Sequence, residues 1–155
     1  MFLRRFDRDS DGRLLYSDFC DAFTPKSFQY SVVLNQRRPF FIHNHFDRRD
    51  FFSLETRNLY MKVFKVFFSG EEQSEMLRKR LAKRPFFNVH DAFAHCDAGG
   101  NGFITRSDLK TLLKNYQYYP SDQELTLLID RYDKNKDTRI SYSEFMDEIM
   151  PRSST

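Results

Sequence analysis

The sequence predicts an all-α fold built from helix–loop–helix units. Apolar residues recur at helical spacing through the C-terminal half, as in Val89, Ala92, Phe93 and Cys96 and again in Leu125, Leu128, Ile129 and Tyr132. Polar residues able to accept from free backbone N–H groups stand in front of these stripes, Asn88 three residues before Asp91 and Ser121 three before Glu124. Between the stripes lie twelve-residue segments in which oxygen-bearing side chains alternate with others, a spacing that suits a hard divalent cation.

Composition narrows the class. Eighteen Phe and eight Tyr bring aromatic content to 17%, with no Trp, so the apolar mass comes as flat rings suited to helix packing. Lys and Arg number 25 against 22 Asp and Glu, and the net charge of +3 is too small to imply nucleic acid. Charge appears by Arg4 and the apolar runs are short, which predicts neither a signal peptide nor a membrane span and leads to a cytoplasmic expectation. Cys20 and Cys96 lie far apart without metal-ligand spacing and read as reduced core residues. Neither an activated nucleophile nor a phosphate-cradling glycine loop is visible, so an enzyme is not expected.

The richest segment is DKNKDTRISYSE, Asp133 to Glu144. Asp133, Asn135, Asp137, Ser141 and Glu144 hold positions one, three, five, nine and twelve, the carbonyl of Arg139 adds an oxygen at seven, and Ile140 is the apolar eighth residue. On these residues the chain resembles the EF-hand superfamily, in its calmodulin- and centrin-like branch. The resemblance implies Ca²⁺ as the ion and paired loops joined at the apolar eighth position. Position six is Thr138 instead of glycine, a β-branched residue where φ is positive, at an expected cost of about 1–3 kcal/mol.

A second loop, DRDSDGRLLYSD, has its glycine, Gly12, with Asp7, Asp9 and Asp11 as ligands, the carbonyl of Arg13 at position seven and Leu14 at the apolar eighth position. It closes on Asp18, one methylene shorter than Glu, which favours Mg²⁺ or weakens Ca²⁺. Six residues precede it, where the family has an entering helix of about ten residues. Residues 6–27 and 132–153 repeat one another, sharing Arg13/Arg139, Tyr16/Tyr142, Phe19/Phe145 and Pro25/Pro151, so both read as the second hand of a pair. Two origins of the short start stay open: a longer polypeptide upstream, or a missing helix supplied by a neighbour.

The partner of the last hand is DAGGNGFITRSD, residues 97–108, with Gly102 at six and Ile104 facing Ile140. Gly99 removes the third oxygen and Asp108 shortens the twelfth, which predicts a metal-free scaffold loop. Its exiting helix is read from Ser107 to Asn115, and the last helix from Ser143 to Ile149 with Phe145, Met146 and Ile149 inward.

The expected organisation is an incomplete hand at 1–27, an extended aromatic and basic linker at 28–52, a two-helix connector at 53–85, and a hand pair at 86–155. Within the connector, Ser53 caps one helix with a Tyr60, Val63, Phe64 and Phe67 stripe, while Ser69 and Glu72 open a second that ends at Pro85. Inserts of this kind resemble those of protist flagellar hand proteins. His43 and His45 lack a third ligand of matching distance, and the run Arg78, Lys79, Arg80, Lys83 and Arg84 reads first as a solvated face. The aromatic side of the first hand, Phe19, Cys20 and Phe23, needs cover. The Phe-rich helix can supply it, but the slightly favoured source is another polypeptide, because linker aromatics Phe40, Phe41, Phe46, Phe51 and Phe52 also need burial.

These readings lead to a calcium-binding structural or interaction protein holding a helix or filament within a multiprotein assembly, cytoskeletal or of the ciliary axoneme. The basic excess supports this, since calmodulin-like sensors are usually acidic. The alternative is a diffusible calmodulin-like sensor of target helices, with a buffer third. No membrane partner is expected.

Overall fold

The structure is a computed structural model and describes residues 2–37 and 52–152. The chain divides into two compact units, Met1–Gln73 and Ser74–Thr155. Among the described residues it is helical apart from one two-stranded sheet, so the all-α expectation holds.

In the C-terminal unit the order is α5 (Val89–Cys96), β1 (Phe103–Ile104), α6 (Arg106–Asn115), α7 (Asp122–Tyr132), β2 (Ile140–Ser141) and α8 (Tyr142–Ile149). Each helix starts where a side chain relieves the free N–H groups of its first turn. Asn88 accepts from the N–H of Asp91, Thr105 from that of Asp108, Ser121 from that of Glu124 and Ser141 from that of Glu144. The capping Thr105 and Ser141 start α6 and α8 one residue earlier than the apolar stripes suggest, a shift typical of helix ends.

The core consists of Phe93, Ile104, Leu109, Leu125, Ile129, Ile140 and Phe145, with Val89, Ala92, Cys96, Leu113, Leu128, Tyr132 and Ile149 packed against it. At its centre β1 and β2 run antiparallel with Ile104 opposite Ile140, and these two side chains are all but fully enclosed. Burying each contributes about 1.5–3 kcal/mol. Phe93 meets Phe145 edge-on at 5.6 Å, which ties the first helix of the unit to the last. Met146, expected inward, is exposed, and the buried face of α8 carries Glu144, Phe145 and Glu148.

The N-terminal unit contains α1 (Phe2–Phe6), α2 (Tyr16–Phe23), α3 (Phe28–Gln36) and the first part of α4 (Leu54–Ala82), the remainder of which belongs to the C-terminal unit. Phe19 and Phe23 stack on each other at 4.4 Å. Phe23 then lies 5.2 Å from Tyr60 and 4.9 Å from Phe64, and Phe6 lies 5.5 Å from Phe67. The Phe-rich helix therefore covers the aromatic side of the first hand, which corrects the preference for an outside polypeptide at Phe19 and Phe23. Even so, among the described residues no apolar side chain of this unit is fully buried, and its enclosed side chains are the carboxylates Asp7, Asp18 and Glu71. Glu71 pairs with Arg5.

Three further expectations change. Phe28–Gln36 is a helix, where an extended segment is expected. Only the short Tyr30–Leu34 run has helical spacing, and because the helix lacks a one-sided apolar stripe, with Phe28 and Tyr30 exposed, periodicity does not show its full length. Residues 38–51, with Phe40, Phe41, Phe46, Phe51 and the His43/His45 pair, lie outside the described residues. The two-helix connector is a single helix of 29 residues starting after Ser53, whose hydroxyl accepts from the Thr56 N–H at 3.3 Å. Ser69 does not cap a new helix. It accepts from the Gln73 amide at 3.3 Å within α4, because a serine three residues before a glutamate is equally compatible with an uninterrupted turn flanked by strong helix formers. Finally, Arg78 is buried instead of solvated, for reasons given below.

Gly70 sits inside this long helix, exposed, with nothing within 4 Å of a β-carbon placed on it. Gly70→Ala is expected to stabilise the protein by about 0.5–1 kcal/mol. Thermal unfolding would register this as a raised midpoint, whereas a lowered midpoint would mean that the helix breaks at Ser69–Gly70.

Candidate metal centre

Three loops share one hydrogen-bond skeleton. The first-position carboxylate accepts from the N–H of position six at 2.8 Å in each: Asp7 from Gly12, Asp97 from Gly102 and Asp133 from Thr138. The fifth side chain accepts from the N–H of position seven: Asp11 from Arg13 at 2.7 Å, Asn101 from Phe103 at 2.9 Å and Asp137 from Arg139 at 2.9 Å. The twelfth accepts from the N–H of position nine: Asp18 from Leu15 at 3.0 Å, Asp108 from Thr105 at 2.9 Å and Glu144 from Ser141 at 2.9 Å. A turn that points its first carboxylate inward at the N–H groups of positions five and six, as all three loops do, requires positive φ at position six. Gly12 and Gly102 adopt it at 81° and 84°, and Thr138 is held at 68°.

The loops differ in how they close. Glu144 is long enough for its second oxygen, Oε1, to reach back across the loop and accept from the N–H of Lys134 at 2.8 Å and of Asn135 at 3.3 Å. Its Oε2 also accepts from the Ser141 hydroxyl at 2.7 Å. Asp133 and Asn135 converge on the same centre, since both accept from the N–H of Asp137, at 3.2 and 3.0 Å. Burial pushes the Glu144 carboxyl up, but the Ser141 N–H and hydroxyl and the Lys134 and Asn135 N–H groups outweigh it and hold the group below the usual range, ionised at neutral pH. The guanidinium of Arg139 lies 4.4 Å over the Phe103 ring and 3.9 Å from Asp137, and as a cation it offers no ligand oxygen, so its part at position seven falls to the backbone.

In the 7–18 loop, Asp7, Asp9 and Asp11 each bring an oxygen within 4.8 Å of the others. Asp9 is raised above the ordinary carboxylate range, first by its hydrogen bond with Asp7 and also by repulsion from Asp11 and Asp7. Crowded like charges of this kind are relieved by a cation, so the donor set fits a divalent ion. Asp18 is buried but reaches only Leu15, whose side chain offers no oxygen at position nine. In the 97–108 loop a β-carbon on Gly99 would lie 3.5 Å from the Asn101 amide and 3.7 Å from Asp108, which places the missing third ligand beside the other donors.

A profile of the EF-hand domain pair family matches residues 86–150. These residues are an EF-hand pair. Calcium-binding protein 7 of Homo sapiens is 34% identical over 67 residues, which cover 43% of this chain and 31% of that protein. Calcium-binding protein 8 of Homo sapiens is 33% identical over 64 residues, 41% of this chain and 24% of that protein. Troponin C, isoform 3, of Drosophila melanogaster is 32% identical over 80 residues, 52% of this chain and 46% of that protein. The matched stretch thus spans less than half the length of each of these relatives.

Sequence reasoning missed a second set of residues at the base of the last hand. Arg131 stands two residues before Asp133, and its Nε lies 3.9 Å from Glu148, one turn beyond Glu144 on α8. A charged residue on the inward face of α8, three places after Phe145, was the available signal. No helix of the described residues is long and apolar enough to cross a membrane.

Thr138→Gly should relieve the left-handed strain and stabilise the metal-free chain by about 1 kcal/mol. Differential scanning calorimetry would show a higher midpoint, and a lower one would mean that the Thr138 side chain contributes more than its backbone strain costs.

Proposed function

We propose that this chain is a calcium-binding EF-hand protein whose principal site is the 133–144 loop, with Asp133, Asn135, Asp137, the Arg139 carbonyl, Ser141 and Glu144 as its ligands. The observation that carries this reading is the Glu144 carboxylate, buried and ionised, spanning the loop with both oxygens. The 7–18 loop, through Asp7, Asp9, Asp11, the Arg13 carbonyl and Asp18, is a weaker site open to Ca²⁺ or Mg²⁺. The 97–108 loop is a metal-free scaffold that pairs with the main site through Ile104 and Ile140.

The role is that of an interaction module for a helical or filamentous protein partner. The exposed apolar residues of the N-terminal unit support it, among them Leu59, Val66 and Phe68 on α4 and Phe28 and Tyr30 on α3. Placement in a cytoskeletal or ciliary assembly rests on the basic excess, the mostly degenerate ligand sets and the resemblance of the connector to inserts of flagellar hand proteins. A diffusible calmodulin-like sensor of target helices is the second reading, and a calcium-induced rise in dye-accessible apolar surface on the free chain would select it.

Titration calorimetry with Ca²⁺ should give a principal binding event that Glu144→Gln abolishes while circular dichroism stays nearly unchanged. Equal binding heat in the two proteins would contradict the assignment.

A further inference from the structure

The C-terminal unit contains more than the hand pair. The last turns of α4, from Ser74, belong to it, and two of their charged side chains, Glu75 and Arg78, are 5% exposed, as is Glu148 of α8. Arg78 donates from Nε to Glu75 at 3.0 Å and from Nη1 to the Glu148 carbonyl at 3.3 Å, at the C-terminal end of α8. Both Glu75 oxygens accept from the Arg152 N–H at 3.1 Å. Arg152 then turns back on α8, donating to the Asp147 carbonyl at 3.0 Å and to the Glu148 carboxylate at 2.6 Å, while Arg131 of α7 approaches the same carboxylate. Three guanidinium groups and two carboxylates thus join α4, the end of α7 and the end of α8.

The network brackets the calcium loop from below. Arg131 precedes Asp133, where α7 delivers the first ligand, and Glu148 follows Glu144, where α8 delivers the last. The separation of these helices decides whether Glu144 can span the loop. Buried, hydrogen-bonded charges hold such a separation firmly, because moving one helix strands a charge away from water.

We infer that Glu75 and Arg78 are positioning residues for the 133–144 site: α4, docked through them, holds α7 and α8 at the spacing at which Glu144 closes the loop. This rests on the reading of 133–144 as the calcium site. A site competent only while α4 is docked binds more weakly by the docked fraction, and binding must in turn favour docking by the same factor. Whatever grips the exposed side of α4 would thereby tune calcium affinity without touching a ligand.

The test is calcium titration of the full chain carrying Glu75→Gln, which keeps an acceptor for Arg152 but loses the charge, and separately Arg78→Met, which keeps the aliphatic stem. The dissociation constant should rise about tenfold, a usual size for coupling between sites. Where Arg78→Met fails to fold, Glu75→Gln decides. Unchanged affinity in a folded Glu75→Gln chain overturns the inference. A merely structural role would lower stability without affecting the reverse coupling, so hydrogen exchange supplies the second readout: in the wild-type chain, Ca²⁺ should slow exchange of amides 75–82, which touch no ion, by a similar factor. No change there also overturns it. A wild-type chain that binds no calcium would instead remove the functional reading beneath it.

Discussion

Everything at the site follows from the reach of one side chain. Glu144 is one methylene longer than Asp18 and Asp108, and only Glu144 places one oxygen on the start of its own helix and the other on the N–H groups near the start of the loop. That span ties both ends of the 133–144 loop to one carboxylate, while the other two loops share its skeleton without this closure. Thr138 is tolerated in this context. The inward carboxylate of Asp133 requires the left-handed turn, and five hydrogen bonds to Asp133 and Glu144 from N–H groups inside the loop hold it there against the preference of the residue.

The two units obtain their order differently. The C-terminal unit has an interdigitated core around Ile104 and Ile140, and its loops are positioned by that core. The N-terminal unit has stacked aromatic rings but no fully buried apolar residue among those described, and its most enclosed groups are carboxylates, one of them paired with Arg5. At about 25 cal/mol per Å² of apolar area, rings left half-covered forgo a large share of the stability a small domain can muster.

The sequence was most readable where short-range chemistry decides structure. The caps Asn88, Ser121 and Ser53 and the Ile104–Ile140 pairing depend on residues a few positions apart or on a repeated frame, and all are found. Ser69–Gly70 misled because a capping pattern and a continuous helical turn share the same spacing. Phe28–Gln36 reads as extended from the sequence because, beyond the short Tyr30–Leu34 run, its apolar residues mark no single face. Glu75 and Arg78 were unreadable for another reason. Their partners, Arg152 and Glu148, lie at least 70 residues away, and nothing local distinguishes a buried arginine from a solvated one.

A crystal structure of the calcium-saturated chain, with the ions located by their anomalous scattering, would test this account most directly. It should show an ion in the 133–144 loop bound by both Glu144 oxygens, and none in the 97–108 loop. An ion held by Asp97, Asn101 and Asp108, or a 133–144 ion that Glu144 does not touch, would contradict it.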